Sequence, residues 1–319
     1  MTAMSPVVSM PPASASPIRL VAGVAVGLLA ASIGALYTVF ARWGIGHGLQ
    51  SPDLTVLRFG VAGLLMLPVL ILAWRRDAAQ FTARWRVWVA IALLAGTPFG
   101  LLMFGALQFA PVSHAAVFPF TAMSVMGMAL SALVLGEALG RRKVAGIAVV
   151  LLGLVLVSGL DGASFSARGA LGDVMFVAAG SLWAAFGILL RKHRLDPLLA
   201  TAVVSISALA TYVPAYFWQV GVERLMAVAP PVFWTEVVVQ GLIAGAGTLF
   251  TYARTVSLLG PAGAAIFPAL APGLAALMAW PVLGHVPTGT EAVGLVTVMV
   301  GLVVAVTARP AAMPRARGG

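Results

Sequence analysis

The residues of this sequence best suited to chemistry are the few ionisable side chains inside long apolar runs. Arg58, His114, Asp173 and Glu236 all occupy such positions. Ionisable groups within a membrane are costly and commonly mark a pathway for protons, ions or substrates. Arg58 and Asp173 could form a pair, and the Asp173 carboxylate could exchange a proton. The alternative is that each side chain extends to the lipid headgroups, which is favoured for His114 and Glu236 and stays open for Arg58 and Asp173.

Aromatic and hydroxyl side chains form a second group of candidates. Tyr37 and Trp183 occupy corresponding positions of two similar segments, and Thr248 and Tyr252 belong to a later apolar run. The two aromatic side chains could line a cavity and contact flat or cationic molecules. They could equally pack between helices. The group predicts part of a substrate pathway and leaves both interpretations open.

Three prolines interrupt the apolar runs. Pro119 and Pro268 end the matching segments Ala115-Ala-Val-Phe-Pro119 and Ala264-Ala-Ile-Phe-Pro268, and Pro272 follows one turn later. Proline removes a helical hydrogen bond and clashes with the preceding turn. In lipid, the freed carbonyl needs a partner or a wet cavity. Matching interruptions in two halves of a chain predict a transport site, with a simple packing kink as the alternative.

The motifs of soluble catalysis are missing from the sequence. It contains no phosphate-binding G-x-x-x-x-G-K-[ST] loop and no H-E-x-x-H motif, and its four histidines are scattered. It also contains no cysteine, which excludes disulfides and thiolate metal sites. We therefore expect no enzyme activity, no metal and no cofactor.

Composition predicts an all-α integral membrane protein that positions these residues on transmembrane helices. The 319 residues are 61% hydrophobic and 9% charged, and a spanning helix needs about 20 mostly apolar residues. Continuous runs without period-two alternation exclude a barrel. Ten spans are predicted, at residues 20–40, 54–74, 87–108, 112–135, 144–160, 170–190, 198–218, 233–253, 262–283 and 292–308.

The second half of the chain repeats the first. The Pro119 and Pro268 segments are 149 residues apart, and the segments Gly34-Ala-Leu-Tyr-Thr-Val-Phe40 and Gly180-Ser-Leu-Trp-Ala-Ala-Phe186 are 146 apart. The pairs Gly146/Gly153 and Gly294/Gly301 keep a similar spacing and suggest that spans 5 and 10 pack together as a scaffold. Two five-span repeats, 19–160 and 170–308, must enter the membrane in opposite directions. This inverted arrangement is typical of secondary transporters.

The distribution of basic residues predicts the orientation. If the N-terminus is cytoplasmic, fifteen of the nineteen basic residues lie on the cytoplasmic side, as the positive-inside rule requires. Both termini are then cytoplasmic, with residues 1–18 as a disordered tail and 309–319 as a basic tail. The net charge of +10 reflects this topology and attraction to membrane lipids, so nucleic-acid binding is not expected.

Several short motifs resemble the EamA-type members of the drug/metabolite transporter superfamily. They are Ser51-Pro-Asp-Leu-Thr-Val-Leu-Arg-Phe59, Leu135-Gly-Glu137, Leu259-Gly-Pro-Ala-Gly-Ala-Ala-Ile-Phe-Pro-Ala-Leu270 and Val286-Pro-Thr288. The resemblance covers about residues 19–308 as two copies. It implies a ten-helix basket with a central cavity between the halves. One departure is that the second copy has Leu283-Gly-His285 where the first has Leu135-Gly-Glu137, so the resemblance implies no role for a second, matching glutamate.

The sequence thus predicts a secondary transporter of the bacterial inner membrane, which exports small organic metabolites or drugs by alternating access. Its expected partners are a small-molecule substrate, membrane lipids and a proton, with Asp173 or Glu137 as the coupling carboxylate. It is expected to be a monomer. A polytopic enzyme acting on lipid and an uncoupled solute or lipid pathway are the alternatives.

Overall fold

The computed structural model describes residues 17–136, 140–157, 166–248, 250–251, 254–255, 258–259 and 267–307. All regular structure in these ranges is helical. The first half comprises α1 (Pro17–Gly46), α2 (Ser51–Arg76), α3 (Ala79–Ala83), α4 (Trp85–Ala95), α5 (Thr97–Phe109), α6 (Val112–Leu135) and α7 (Arg141–Val157). The second comprises α8 (Ala167–His193), α9 (Pro197–Gln219), α10 (Glu223–Met226), α11 (Pro230–Glu236), a π-helix (Val237–Gly247), a 3₁₀ turn (Phe267–Leu270), α12 (Ala271–Leu283) and α13 (Gly289–Val306).

Seven stretches of these described residues are long and apolar enough to cross a membrane. They are α1, α2, α4 with α5, α6, α8, α9 and α13. The other three predicted spans correspond to α7, to α11 with the π-helix, and to the 3₁₀ turn with α12. The helical, membrane-spanning class is therefore confirmed, whereas the count of ten spans stays a prediction.

Glycine and proline explain where the third predicted span, 87–108, divides. α4 ends before Gly96, and α5 begins with Thr97 and Pro98. Proline has no N–H to donate, so it is well tolerated in the first turn of a new helix and poorly tolerated inside an existing one. One turn later, a Cβ on Gly100 would lie 2.8 Å from the Phe59 ring. The break and the glycine together let α5 approach α2 closely.

The two ends of the bundle are defined by the first helix connection. We call the end where α1 finishes at Gly46 and α2 starts at Ser51 the upper end, and the opposite one the lower end. At the upper end, Arg42 donates to the Leu107 carbonyl and Ser51 to the Leu101 carbonyl. These bonds tie α1 and α2 to α5 within the first half.

The most extensive helix packing joins one half of the chain to the other. α7 packs along α13, α6 along α8, and α2 along α9. Each of these pairs combines a helix of the first half with a helix of the second. The halves are consequently interleaved, and cavities between these helices have walls from both.

The contact between α7 and α13, called here the glycine seam, brings the two helix backbones together. A Cβ on Gly146 would lie 2.6 Å from the Ala305 nitrogen, and one on Gly153 would lie 2.7 Å from the Val298 nitrogen. From the other side, a Cβ on Gly294 would lie 2.7 Å from the Val157 nitrogen, and one on Gly301 would lie 2.7 Å from the Val150 nitrogen. Small residues allow such backbone contact between membrane helices. The expected packing of these two helices is present.

Candidate substrate cavity and buried charges

A cavity of about 440 Å³ lies between helices of both halves. Its walls come from α2, α4, α8, α9 and the π-helix. The lining residues are Arg58, Phe59, Ala62, Ala95, Trp183, Phe186, Thr201, Val204, Ser205, Ala244, Gly245 and Thr248. Arg58, Trp183 and Thr248, three of the residues singled out in the sequence, therefore meet at one cavity.

The shape of the cavity follows from small residues and an unusual helix. Gly245 packs so tightly on α2 that a Cβ there would lie 2.6 Å from the Ala62 side chain. This contact fixes the π-helix against α2, while Ala95 and Ala244 leave space beside it. π-Helical turns are rare and are frequent at functional sites. The 11-residue π-helix is followed directly by Thr248, which it positions at the cavity.

Arg58 is the one charged side chain among the described lining residues. It is only 6% exposed, and its guanidinium lies over the Tyr37 ring, 4.6 Å from the ring centre. Its Nη1 has no hydrogen-bond partner among the described residues. Tyr37 does not itself line the cavity. Its ring packs against the Arg58 guanidinium.

Aromatic rings form another part of the cavity wall. The Trp183 ring lies 4.9 Å from Phe99 and 5.4 Å from Phe186, centre to centre. These spacings are those of favourable aromatic pairs. Trp183 is therefore held in place by α5 and by its own helix, with part of its face on the cavity.

Glu236 is buried within the protein, and the expectation that it reaches the headgroups is wrong. It is 0% exposed, and its Oε2 accepts a bond of 2.9 Å from Gln240. Gln240 also donates to the Tyr37 carbonyl, at 2.9 Å. Glu236 Oε1 and Gln240 Oε1 have no partners in the described part of the chain. Close approach of α11 at Gly44, where a Cβ would lie 2.7 Å from Glu236 Oε1, explains the burial.

A second buried carboxylate, Asp53, was not identified as a candidate from the sequence. It is 0% exposed and accepts bonds from the Tyr216 hydroxyl at 2.6 Å and the Arg224 Nε at 3.0 Å. It also accepts from the Gln50 backbone N–H at 2.7 Å. We call Asp53, Tyr216 and Arg224 the upper clasp, because they join α2 to the second half. The clue in the sequence was an acidic residue in the first turn of a helix, right after Pro52.

Asp173 pairs with His114 and not with Arg58, so the predicted Arg58–Asp173 pair is wrong. The His114 Nδ1 lies 2.8 Å and 3.0 Å from the two Asp173 oxygens. His114 is 2% exposed and its ring stacks on Phe118, 5.0 Å away. It is therefore held inside the protein and does not reach the headgroups. The α6–α8 contact brings these two residues together, away from Arg58.

The three prolines do not line the 440 Å³ cavity. Pro119 lies inside α6, and its carbonyl would be 2.6 Å from a Cβ on Gly180. Pro268 belongs to the 3₁₀ turn, and Pro272 starts α12. A 3₁₀ turn precedes α12 at the prolines of the ninth predicted span, whereas α6 continues through Pro119, so the predicted matching interruption of the first half is wrong. Tyr252 and Glu137 lie outside the described residues.

A second cavity, of about 470 Å³, opens near the upper end between α1, α6, α12 and α13. Arg42, Ser113, His285 and Glu291 are its polar residues. His285 Nε2 lies 3.9 Å from Glu291 Oε1, and Glu291 also closes a capping box with Thr288 at the start of α13. Arg42 and Glu291 are already bonded, to the Leu107 carbonyl and to the start of α13, whereas the His285 ring has an Nε2 without a hydrogen-bond partner among the described residues. The first cavity, with its unpartnered buried arginine, is the better candidate for substrate.

Comparison with known proteins agrees with this architecture. The sequence matches the EamA-like transporter family over residues 21–159 and again over 170–307. The chain belongs to the EamA-like transporter family. The two matches correspond to the two halves that the repeated segments suggested. This EamA-like protein is therefore a multi-pass membrane protein of a transporter family.

Structural comparison supports the fold of the EamA-like chain. One solved structure, titled only as the crystal structure of a protein, superposes with a TM-score of 0.62 at 20% sequence identity. The match covers 89% of this chain and 96% of the other. At that identity it shows a shared fold alone. None of the curated proteins matches the chain.

Proposed function

We propose that this protein is a secondary transporter that exports small organic solutes through the 440 Å³ cavity by alternating access. The observation that carries the proposal is that both halves build this cavity, with Arg58 from one and Trp183 and Thr248 from the other. An inverted repeat supplies two related arrangements of such halves. Membership of a transporter family and the antiparallel glycine seam support this interpretation.

The proposed orientation places both termini in the cytoplasm of a bacterial cell, as the basic residues predict. The upper end then faces outward, and the upper clasp closes the outer side of the cavity. Opening toward the outside requires the clasp to separate. Proton coupling would use a carboxylate within the spans, and Asp173 and Glu236 are the two candidates with described positions.

Cysteine accessibility tests the pathway, and the absence of native cysteine makes the measurement clean. Thr248→Cys places a thiol in the cavity. Val300→Cys, on the exposed face of α13, is the matched control, because Val300 is 52% exposed on a spanning helix. In oriented vesicles, a membrane-impermeant thiol reagent should label Thr248→Cys from either side and should not label the control.

Absence of labelling of Thr248→Cys from both sides would contradict the pathway. Labelling from both sides simultaneously in every molecule, together with solute flux that no gradient drives, would instead indicate an uncoupled channel. The export direction is measured separately. Solutes released by cells that contain the protein are compared with those released by cells that lack it.

A further inference from the structure

The chemistry of the cavity narrows the substrate class. Arg58 carries a permanent positive charge, since the guanidinium does not lose its proton in proteins. Burial of an unpaired charge is expensive, and removal of a partner from a buried ion pair leaves just such a charge. The Tyr37 ring offsets part of this cost through its π-face. No carboxylate pairs with Arg58 among the described residues, and its Nη1 has no acceptor.

The Arg58 side chain borders the cavity, so a molecule bound there can supply the acceptor that the described protein lacks. One face of the guanidinium is covered by Tyr37, and the side chain lines the cavity. A guanidinium presents N–H groups in a planar fork that matches a carboxylate. An anionic group of a bound molecule would therefore complete the bonding that the protein leaves open.

The rest of the cavity selects the remainder of such a molecule. Trp183 and Phe186 offer aromatic surface, and Ala62, Ala95 and Ala244 leave room beside it. The Thr248 hydroxyl donates to its own helix, to the Ala244 carbonyl at 2.8 Å. Its proton is thus already used, and Arg58 is left as the charged donor. These surfaces fit an apolar body.

The cavity also disfavours cations and zwitterions. No acidic side chain is among its described lining residues. An ammonium group would lose its water without gaining a counter-charge, and it would face Arg58. A substrate with an ammonium group is consequently penalised twice, by desolvation and by repulsion.

We propose that the cavity binds small organic carboxylates with an apolar or aromatic body, with the carboxylate on Arg58 and the body against Trp183. The proposal rests on the proposed function, because it takes the cavity as the substrate site. It goes further by naming the anionic group as the feature that is recognised.

Three probes of one skeleton separate the alternatives: 3-phenylpropionate, its neutral amide and phenylalanine. Their dissociation constants are measured from ligand-induced shifts in the thermal unfolding of the purified full chain at neutral pH. We expect the carboxylate to bind at least about tenfold more tightly than the amide or the zwitterion, as charge-assisted bonds are about twice as strong as neutral ones.

Variants locate the effect. Arg58→Gln should remove the preference for the carboxylate over the amide. Arg58→Lys, which keeps the charge without the planar fork, should retain a weaker preference and serves if Arg58→Gln does not fold. Trp183→Ala should weaken the carboxylate and the amide alike. Arg168→Gln is the matched control, because Arg168 is exposed and lies over the Phe109 ring, 5.6 Å from its centre, outside the cavity.

Equal affinity for carboxylate and amide, or a carboxylate preference that survives Arg58→Gln, would overturn the proposal, as would no binding of any probe. These outcomes are separate from failure of the pathway. Labelling of Thr248→Cys from both sides with no carboxylate preference leaves a transporter of another substrate class. A carboxylate preference without such labelling leaves a binding site that is not a transport route.

Discussion

The glycine seam and the packing of α2 against α9 and the π-helix, called here the polar side, show two ways in which the halves are joined. At the seam, repeat-related glycines from α7 and α13 meet in backbone contact. On the polar side, α2 meets α9 and the π-helix through charged groups that have no counterparts in the other repeat. The upper clasp is fully bonded there, whereas Arg58, Glu236 and Gln240 each retain an unpartnered atom. The matched region is suited to a fixed contact, and the unmatched region holds the chemistry.

The largest expected effect comes from breaking the upper clasp. Asp53→Ala leaves the buried Tyr216 hydroxyl and Arg224 without their acceptor, and should lower the free energy of unfolding by about 3 kcal/mol. Thermal unfolding of purified protein measures it. Asp77→Ala is the control, because this exposed carboxylate bonds only locally, to the Gln80 N–H. If both variants are equally stable, the clasp does not hold the halves together.

A smaller loss is expected at the glycine seam. A Cβ on Gly146 would press on the Ala305 backbone, which cannot rotate away, so Gly146→Ala should cost about 2 kcal/mol. Gly187→Ala is the matched control within α8, since a Cβ there meets nothing within 4 Å. That change should be neutral or stabilising in a helix. The comparison fails if Gly146→Ala unfolds no earlier than Gly187→Ala.

Asp173→Asn tests the pair with His114. The amide oxygen can still accept from His114, so the variant loses charge assistance alone, a cost of about 1 kcal/mol. If Asp173 carries the coupling proton, transport driven by a pH gradient should fall while substrate exchange without a gradient persists. Unchanged gradient-driven transport would remove Asp173 from that role, with Asp196→Asn at a helix start as the control for charge alone.

Glu236→Gln should have the smallest effect on stability, less than about 1 kcal/mol, because Oε1 has no partner to lose and the bond from Gln240 can be kept. Gradient-driven transport by this variant, beside Asp173→Asn, decides which carboxylate couples. A destabilisation as large as that of Asp53→Ala would show instead that Glu236 is a second clasp.

The sequence was sufficient for the class of fold, the duplication and the packing of the glycine seam. These features depend on local hydrophobicity and on residue identities that recur at fixed spacing. It was not sufficient for charge partners. Asp173 was paired with Arg58 because both were predicted at a similar depth in the membrane. In the structure, α6 and α8 pack with the sides that carry His114 and Asp173 facing each other. Depth can be counted along a helix, but the side to which a residue turns depends on neighbours from the other half.

The sequence also did not predict which carboxylates are buried inside the protein. Glu236 lies near a helix end, a position that favours extension to the headgroups. Gly44 lets α11 approach α1, and this contact encloses the carboxylate. Asp53 was overlooked because its partners lie more than 160 residues further along the chain. The cavity residues Arg58, Trp183 and Thr248 were selected correctly as unusual, but not as neighbours.

The interleaved packing has a consequence for how the chain is made. Helices emerge from the ribosome in order, and each waits in the lipid until the surface that covers it has been synthesised. α2 must wait for α9, and α7 waits until α13, the last described helix, is inserted. Hydroxyl groups such as Thr55 bond within their own helix and can wait without cost. In the nascent first half, Asp53 has only its bond from the Gln50 N–H, and its bond from Tyr216 forms when the seventh predicted span arrives.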